Sequence, residues 1–228
     1  MIGIIGAMAV EVAELKKLLQ DVKVDCISGI EFVQGTLNGM DVVVAQSGVG
    51  KVFAAICAQT MILKYGVSTI INSGVAGTLT DQLHIGDVAI STGCVEHDMD
   101  TSALGDPVGL ISGINLITLP TDPKLAELIS DICDASGYRS LRGVIATGDQ
   151  FICSTEKRQW LNKEFQAIAG EMESGSIAHV CYVNNCPFVA IRVISDEASG
   201  KAPEDFSSFV VEVAKISSSI TQKLIEKL

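Results

Sequence analysis

The alternation of two kinds of segment is the feature that most limits what this chain can fold into. Short runs rich in Val and Ile, several of them apolar at consecutive positions, alternate with longer segments whose apolar residues recur at helical spacing. Strands that are apolar on both faces must be covered by helices on both sides. The pattern therefore predicts an α/β sandwich with a mostly parallel or mixed central sheet, formed as one domain over residues 1–228.

The alternation assigns most of the chain to predicted strands and helices. Strands are expected at Ile2–Gly6, Val42–Gln46, Thr69–Asn72, Asp87–Ser91, Gly143–Ala146, Ala167–Gly170 and Phe188–Ile194. Helices are expected at Val10–Leu19, Val52–Lys64, Asp122–Ala135, Ser174–Val183 and Phe206–Leu228. Asp98–Gly113 is the longest irregular stretch, and a loop of that length in a compact protein indicates a functional or interface segment.

Composition narrows the range of partners and compartments. The formal net charge is −11 and no Lys/Arg run occurs, which argues against nucleic-acid binding. No apolar run reaches about 18 residues, and the N-terminus lacks the basic segment of a signal peptide, so we expect neither a membrane span nor secretion. Seven scattered cysteines, an odd number, are typical of buried thiols in a reducing compartment, which predicts a cytoplasmic protein.

Polar residues cluster where the predicted strands end, the edge at which open α/β sheets bind ligands. Carboxylates occur there at Glu11, Asp149, Glu173 and Asp196, with only Lys51 and Arg192 as nearby cations. A negative edge of this kind suits acid/base chemistry on a neutral or cationic ligand better than phosphate binding. Phe151 offers a ring that can stack on a base. Taken singly, Glu11, Glu173 and Asp196 are better explained as helix caps or first-turn acids and Phe151 as core packing, and only their joint placement at one edge of the sheet indicates a site.

Several short motifs are too incomplete to assign a function. Ser47-Gly48-Val49-Gly50-Lys51 resembles the end of a phosphate-binding loop, but Ala45 replaces its first glycine and Val52 its Ser/Thr. The segment Glu96–Asp100 contains possible metal ligands without a second cluster to complete a site, so no metal and no cofactor are expected. With three histidines and no G-x-S-x-G turn, a serine-hydrolase triad is also not expected.

Taken in order, the motifs resemble those of the methylthioadenosine/S-adenosylhomocysteine nucleosidases of the nucleoside phosphorylase superfamily. The resemblance runs through nearly the whole chain. It rests on IGIIGAM with Glu11, SGVGKV, IINSGVAG, LHIGDVAIS, EHDMD, ATGDQFI, EMES with IAHV, and PFVAIRVISD. It implies a nucleoside phosphorylase-like domain, a three-layer α/β/α sandwich, that hydrolyses the N-glycosidic bond of an adenine thionucleoside.

The resemblance also implies roles for particular residues. Asp196 would be the general acid at adenine N7, and Glu11 the base that activates water. The substrate-binding residues would be Ala76, Gly77, Phe151, Ile152, Met172, Glu173, Arg192 and Ser195. Among these, Phe151 would stack on adenine, Met172 and Glu173 would bind the ribose, and Arg192 would orient the water and the carboxylates.

A homodimer is implied as well, with loop 98–113 near the neighbouring subunit's site, and the apolar stretch Val108–Leu119 would be costly to expose. Val75 and Leu104 depart from the family's small polar and aromatic residues, so methylthioadenosine, S-adenosylhomocysteine, 5′-deoxyadenosine and futalosine-type substrates stay open. A phosphorylase is the main alternative, although the four arginines all lie in the C-terminal half. A non-catalytic nucleoside-binding protein is the other, but it would not need both Glu11 and Asp196.

Overall fold

The computed structural model describes residues 1–199 and 201–228, and their ten strands form one mixed sheet with helices on both sides. This confirms the predicted α/β fold. The strands are β1 (Ile2–Gly6), β2 (Gln20–Ile27), β3 (Ile30–Leu37), β4 (Met40–Gln46), β5 (Thr69–Thr78), β6 (Val88–Glu96), β7 (Thr118–Pro120), β8 (Ser140–Thr147), β9 (Ala167–Glu171) and β10 (Phe188–Asp196). The helices are α1 (Ala9–Leu18), α2 (Lys51–Tyr65), α3 (Pro123–Ser136), α4 (Thr155–Phe165), α5 (Ser174–Val183) and α6 (Ala202–Ile225), with a 3₁₀ turn at Ser102–Leu104.

The strand order brings three strand ends to one place. The sheet runs β10-β6-β8-β9-β5-β1-β4-β3-β2, and β10 also pairs with β5, so that β5, β9, β8, β6 and β10 close into a ring. β10 and β1 are parallel to β5, whereas β9 pairs with the end of β5 in the antiparallel sense at Gly77 and Thr78. The ends of β5, β9 and β10 therefore lie around a single concave region.

Two apolar layers hold the helices on the sheet. On one face α1, α3 and α6 bury residues such as Leu15, Ile129 and Leu224. On the other face α2 packs against β1 and β4 and α5 packs against β6, β7 and β8, and these helices bury residues such as Met61 and Ile177. Helix α3 begins as its sequence predicts: the Asp122 carboxylate accepts hydrogen bonds from the amides of the first turn, and the helix ends at Gly137 in the left-handed conformation.

The structure corrects several predicted boundaries. β5 extends to Thr78, so the glycine-rich segment after Asn72 is strand and not a turn, and β10 likewise extends to Asp196. Strands β2, β3 and β7 and helix α4 were not predicted. The β3–β4 connection had a recognisable signal, because Asn38-Gly39 adopts the positive φ angles that a two-residue hairpin turn requires.

The stretch 108–119 is packed within its own chain more than the sequence suggested. Ile111 and Leu119 are buried, and Val108 and Ile117 pack against the cluster formed by α4 and its neighbours. This stretch is therefore not the exposed apolar surface from which a dimer was inferred. Among the residues that the structure describes, no helix is both long and apolar enough to cross a membrane.

Candidate active site

A cavity of about 460 Å³ lies where β5, β9 and β10 end. Most of the predicted site residues line it, namely Glu11, Ala76, Gly77, Phe151, Met172, Glu173, Ser195 and Asp196. Ile152 lines a small adjoining cavity, and Arg192 lies behind the wall, in contact with the carboxylates. The fold thus brings together residues that are almost 200 positions apart in the sequence.

Glu11 is a buried carboxylate held at both of its oxygens. Oε2 accepts hydrogen bonds from the amides of Ala7 (2.7 Å) and Met8 (2.8 Å), and so caps helix α1. Oε1 accepts a hydrogen bond from the Val75 amide at 3.0 Å, which turns that oxygen toward β5 and the cavity. Burial raises the pKa of Glu11, against the opposing effects of Arg192 and the three amides. Glu11 therefore both caps helix α1 and lines the cavity.

Asp196 is the second buried carboxyl group in the cavity wall. Its Oδ2 accepts a hydrogen bond from the Ser195 hydroxyl, and its Oδ1 accepts one from the Ala198 amide, both at 2.9 Å. Burial raises its pKa despite these two bonds. Asp196 is therefore a carboxyl group that retains its proton to a higher pH than an exposed aspartic acid.

Two glycines of β5 make room for these carboxyl groups. A Cβ atom at Gly74 would overlap both the Glu11 carboxylate and the guanidinium of Arg192. A Cβ atom at Gly77 would lie 2.7 Å from Asp196 Oδ1. The glycine-rich sequence of β5 thus allows charged groups to approach the backbone closely, which side chains would prevent.

Glu171 and Glu173 form a carboxylate pair at the start of α5. Glu171 Oε2 accepts hydrogen bonds from the amides of Glu173 (2.9 Å) and Ser174 (2.8 Å), while Oε1 accepts one from the Thr147 hydroxyl. Glu173 Oε1 accepts a hydrogen bond from the Gly50 amide at 2.9 Å. Burial and then the charge of Glu171 raise the pKa of Glu173 to about 8. Glu173 is therefore protonated over much of the neutral range.

Arg192 is the cation that the buried carboxylates share. Its Nη2 lies 2.5 Å from Glu171 Oε2 and 3.8 Å from Glu173 Oε2, and it also donates to the Asn72 side chain. The residue is 1% exposed, and burial alone would disfavour its charge. The surrounding carboxylates outweigh that effect and raise its pKa further, so Arg192 stays charged.

The rest of the cavity is apolar. Phe151 is 45% exposed, and its ring meets that of Phe206 edge to face, with 5.7 Å between the centroids. Met8, Val49, Met172 and Pro203 line the same space. One face of the Phe151 ring is therefore available to a flat, aromatic ligand, beside a pocket that suits an apolar substituent.

Comparison with known proteins identifies the family of this chain. The family model described as the phosphorylase superfamily matches residues 1–228. The 5′-methylthioadenosine/S-adenosylhomocysteine nucleosidase of Staphylococcus haemolyticus is 41% identical over 229 residues, with all of both chains covered. That of Shewanella putrefaciens is 40% identical and covers 100% of this chain and 99% of its own.

This chain belongs to the phosphorylase superfamily, in the family of these nucleosidases. It is accordingly an enzyme that hydrolyses nucleosides. Among solved structures, a mutant Helicobacter pylori nucleosidase with 5′-methylthioadenosine in its active site is 36% identical, with a TM-score of 0.96 and coverage of 100% and 98%. The native futalosine hydrolase of the same organism is 35% identical, with a TM-score of 0.96 and coverage of 100% and 97%. The fold alone does not separate these two substrate classes.

The charges of the nucleosidase cavity bear on the phosphorylase alternative. Its described lining residues include no lysine or arginine. Arg192 is engaged by carboxylates, Arg158 pairs with Asp81, and Arg139 is largely exposed near Asp87. A phosphate ion needs charged donors that point at it, and the site offers carboxylates instead.

Sequence reasoning missed several residues of the site. Phe206 and Pro203 come from the first turn of α6, far along the chain, and no local pattern marks them. Gly50 and Glu171 were noticed but given no role, although Glu171 organises Arg192 and the start of α5. The partners of Glu171 come from Thr147, from the start of α5 and from Arg192, so only the folded chain reveals its role.

The motifs left unassigned by sequence also have places in the structure. Asp149, which was expected at the ligand edge, bonds the backbone of Lys51 instead of lining the cavity. Glu96 and Asp98 contact the Lys51 side chain. Among the described residues, no group of three or more His, Cys, Asp or Glu side chains is arranged to hold a metal ion.

Proposed function

We propose that this enzyme hydrolyses the N-glycosidic bond of 5′-methylthioadenosine and S-adenosylhomocysteine, releasing adenine and the thioribose product. Asp196 donates a proton to N7 of adenine, which turns the base into a neutral leaving group as the bond between C1′ and N9 breaks. Water adds to C1′ and gives a proton to Glu11. The whole chain would act as a single domain in this reaction.

The placement of the two carboxyl groups along β5 carries the proposal. Glu11 is fixed at the Val75 amide, and Asp196 lies beside Gly77, two residues further along the strand. Two residues of extended strand span about 7 Å. The two carboxyl groups are thus anchored at different points along β5, which allows one to act on the leaving base and the other on the attacking water.

The electrostatics of the site support the same division of roles. The acid must hold a proton before the reaction, and burial raises the pKa of Asp196. The base must be ionised: burial raises the pKa of Glu11, and Arg192 together with three amides opposes that rise and favours the charged form. As the bond breaks, positive charge develops on the sugar, and the ionised carboxylate of Glu11 in the cavity wall stabilises it.

Residues around the cavity have matching roles in binding. We assign Phe151 to stacking on adenine, with Ile152, Ala76, Gly77 and Ser195 completing the purine site. Met172 and Glu173 would bind the ribose hydroxyls, and Arg192 would orient the water and the carboxylates.

The apolar residues beside Phe206 favour an uncharged thioether at the 5′ position, as in 5′-methylthioadenosine. The described lining residues offer no lysine or arginine to a 5′ carboxylate, whether that of S-adenosylhomocysteine or that of a futalosine-type substrate, so we expect 5′-methylthioadenosine to be the preferred substrate.

We also propose that the enzyme is a cytoplasmic homodimer. Its support is an apolar patch on α2 and α5, where Val52 is 70%, Phe53 50%, Ile56 38% and Val183 53% exposed. Leu104, in loop 98–113, is 84% exposed and available to a neighbouring subunit. Sedimentation at micromolar concentration tests the dimer: V52D should yield monomers, and a monomeric native protein would contradict the proposal.

Two variants test the assignment of acid and base. Asp196→Asn removes the proton that the leaving base needs while conserving shape, and should lower kcat by about 10²–10⁴-fold with little change in the binding of a substrate analogue. Glu11→Gln should do the same through the water. Near-normal turnover in either variant would remove that residue from the mechanism.

A further inference from the structure

The first turn of α2 is held by a closed ring of hydrogen bonds outside the cavity. Lys51 Nζ donates to Asp98 Oδ1 at 2.6 Å. The other oxygen of Asp98 accepts a hydrogen bond from the Asp149 amide at 2.9 Å. Asp149 Oδ1 in turn accepts a hydrogen bond from the backbone amide of Lys51 at 2.8 Å. The ring joins three segments: the start of α2, the end of β6 and the segment after β8.

Lys51 is the cation that balances this ring. Its ammonium group also lies 3.3 Å from Glu96 Oε2, and the other oxygen of Glu96 is 3.0 Å from His179 Nδ1. Burial opposes the charge of Lys51, but the ion pairs with Asp98 and Glu96 outweigh burial and raise the pKa of Lys51. Burial also opposes the charge of Asp98, but the ammonium group of Lys51 acts against burial and lowers the pKa of Asp98. Without the ammonium group, two carboxylates would face each other with no cation between them.

Two parts of the proposed substrate site extend from the ring. Gly50, next to Lys51, donates its amide to Glu173 Oε1 at 2.9 Å. Gly50 has a φ of +99°, and a Cβ there would lie 2.9 Å from Asp149 Oδ1, so the backbone rests directly on the ring. Phe151 follows Asp149 by two residues. The hydrogen-bond ring therefore fixes the carboxyl group of Glu173, which faces the proposed ribose site, on one side. On the other side it fixes Phe151, whose side chain faces the proposed adenine site.

We propose that Lys51 is a positioning residue, which holds Glu173 and the 149–152 segment in register with each other through the ring with Asp98 and Asp149. This inference rests on the proposed function for its substrate. It gives a common purpose to the SGVGK and EHDMD segments, to which the sequence motifs alone assign no function. Lys51 itself does not line the cavity and touches no reacting atom.

The test compares Lys51→Met with Lys64→Met, on the same helix, whose lysine pairs with Asp25 at 3.2 Å and lies outside the ring. With 5′-methylthioadenosine as substrate, K51M should lower kcat/KM by about tenfold to hundredfold, because misplacing site groups by about 1 Å has effects of that size. K64M should stay within about twofold of the native enzyme. K51R, which keeps the charge, should recover most of the loss.

A double-mutant cycle identifies the route of the effect. If Lys51 acts through Glu173, adding K51M to the E173Q variant should lower kcat/KM by less than about threefold, because the effects of two residues in one hydrogen-bond network are not additive. A loss in the double variant equal to the product of the two single losses would overturn the proposal, as would a kcat/KM for K51M within twofold of that of K64M.

Amide hydrogen exchange tests the ring independently of turnover. K51M should speed exchange in segments 47–54 and 146–152, which contain the amides of Gly50, Lys51 and Asp149, while K64M should leave both unchanged. Unchanged exchange in K51M would refute the positioning role. If the native enzyme released no adenine, the proposed function would fail, but this measurement would still decide whether Lys51 holds the two segments together.

Discussion

Replacing Arg192 by methionine should destabilise the protein in a way that depends on pH. The substitution keeps most of the apolar volume but removes the cation from a site with three buried carboxyl groups, those of Glu11, Glu171 and Glu173. Breaking a buried pair by removal of one partner costs about 3–5 kcal/mol. For a domain of this size each kcal/mol shifts Tm by roughly 2–4 °C, so the expected loss is roughly 6–20 °C.

The sign of the pH dependence follows from the carboxyl groups. Arg192 lowers the pKa values of Glu11 and Glu173, which burial already raises, that of Glu173 to about 8. In the variant these values rise further, so the folded state binds more protons than the unfolded state above the ordinary glutamate pKa. The stability of R192M is therefore highest below the ordinary glutamate pKa, and it falls as the pH rises through the raised pKa values of Glu11 and Glu173. R192M should lose more stability at pH 8 than at pH 5.

Thermal or urea unfolding of native protein and variant at both pH values provides the measurement. Arg158→Met is the matched control, because its partner Asp81 is 95% exposed and such surface pairs contribute at most about 1 kcal/mol. The reasoning would be refuted if R192M behaved like the control at pH 8, or if it lost more stability in acid than in alkali.

Three further predictions concern activity. Gly74→Ala places a Cβ against the Glu11 carboxylate and should lower kcat/KM by about 10²-fold. Gly39→Ala, in an open hairpin turn, should leave kcat/KM unchanged. Equal values of kcat/KM in the two variants would count against the packing argument. Phe151→Ala removes a stacking ring worth about 1–3 kcal/mol and should raise KM by roughly 5–150-fold, which an unchanged KM would contradict. The value of kcat/KM should fall as the pH is lowered and Glu11 is protonated, at a pH above the ordinary 4.5 because burial raises the pKa of Glu11. It should fall again as the pH is raised and Asp196 loses its proton, at a pH above the ordinary aspartate value because burial raises that pKa as well. A kcat/KM that still increased as the pH was lowered below 4.5 would exclude Glu11 as the base.

The sequence predicted the buried elements well because burial leaves a direct pattern. β1 and β10 are apolar on both faces and completely buried, and they were found at nearly their true bounds. β2 lies at the edge of the sheet, where Val22 and Val24 are 48% and 56% exposed, so it lacked the continuous apolar run of a central strand. Helix α4 was missed for a related reason, since Leu161 and Phe165 are its only buried residues.

The site was predictable only where the motif residues themselves line the cavity. Glu11 and Asp196 follow strands, and the resemblance to nucleosidases placed them together. The arrangement of charges was not predictable, because it depends on distances between segments: Arg192 reaches Glu171 across the start of α5, and Gly50 reaches Glu173 from another layer. Long-range contacts of this kind have no period or spacing in the sequence.

Release of adenine from 5′-methylthioadenosine, followed with and without inorganic phosphate, tests the central claim most directly. The account predicts equal rates in both conditions and free methylthioribose as the sugar product, because Glu11 directs water to the sugar and no cation in the described cavity lining attracts phosphate. Release that required phosphate, with a sugar phosphate as product, would contradict it and would place the nucleophile at a site other than the one built around Glu11.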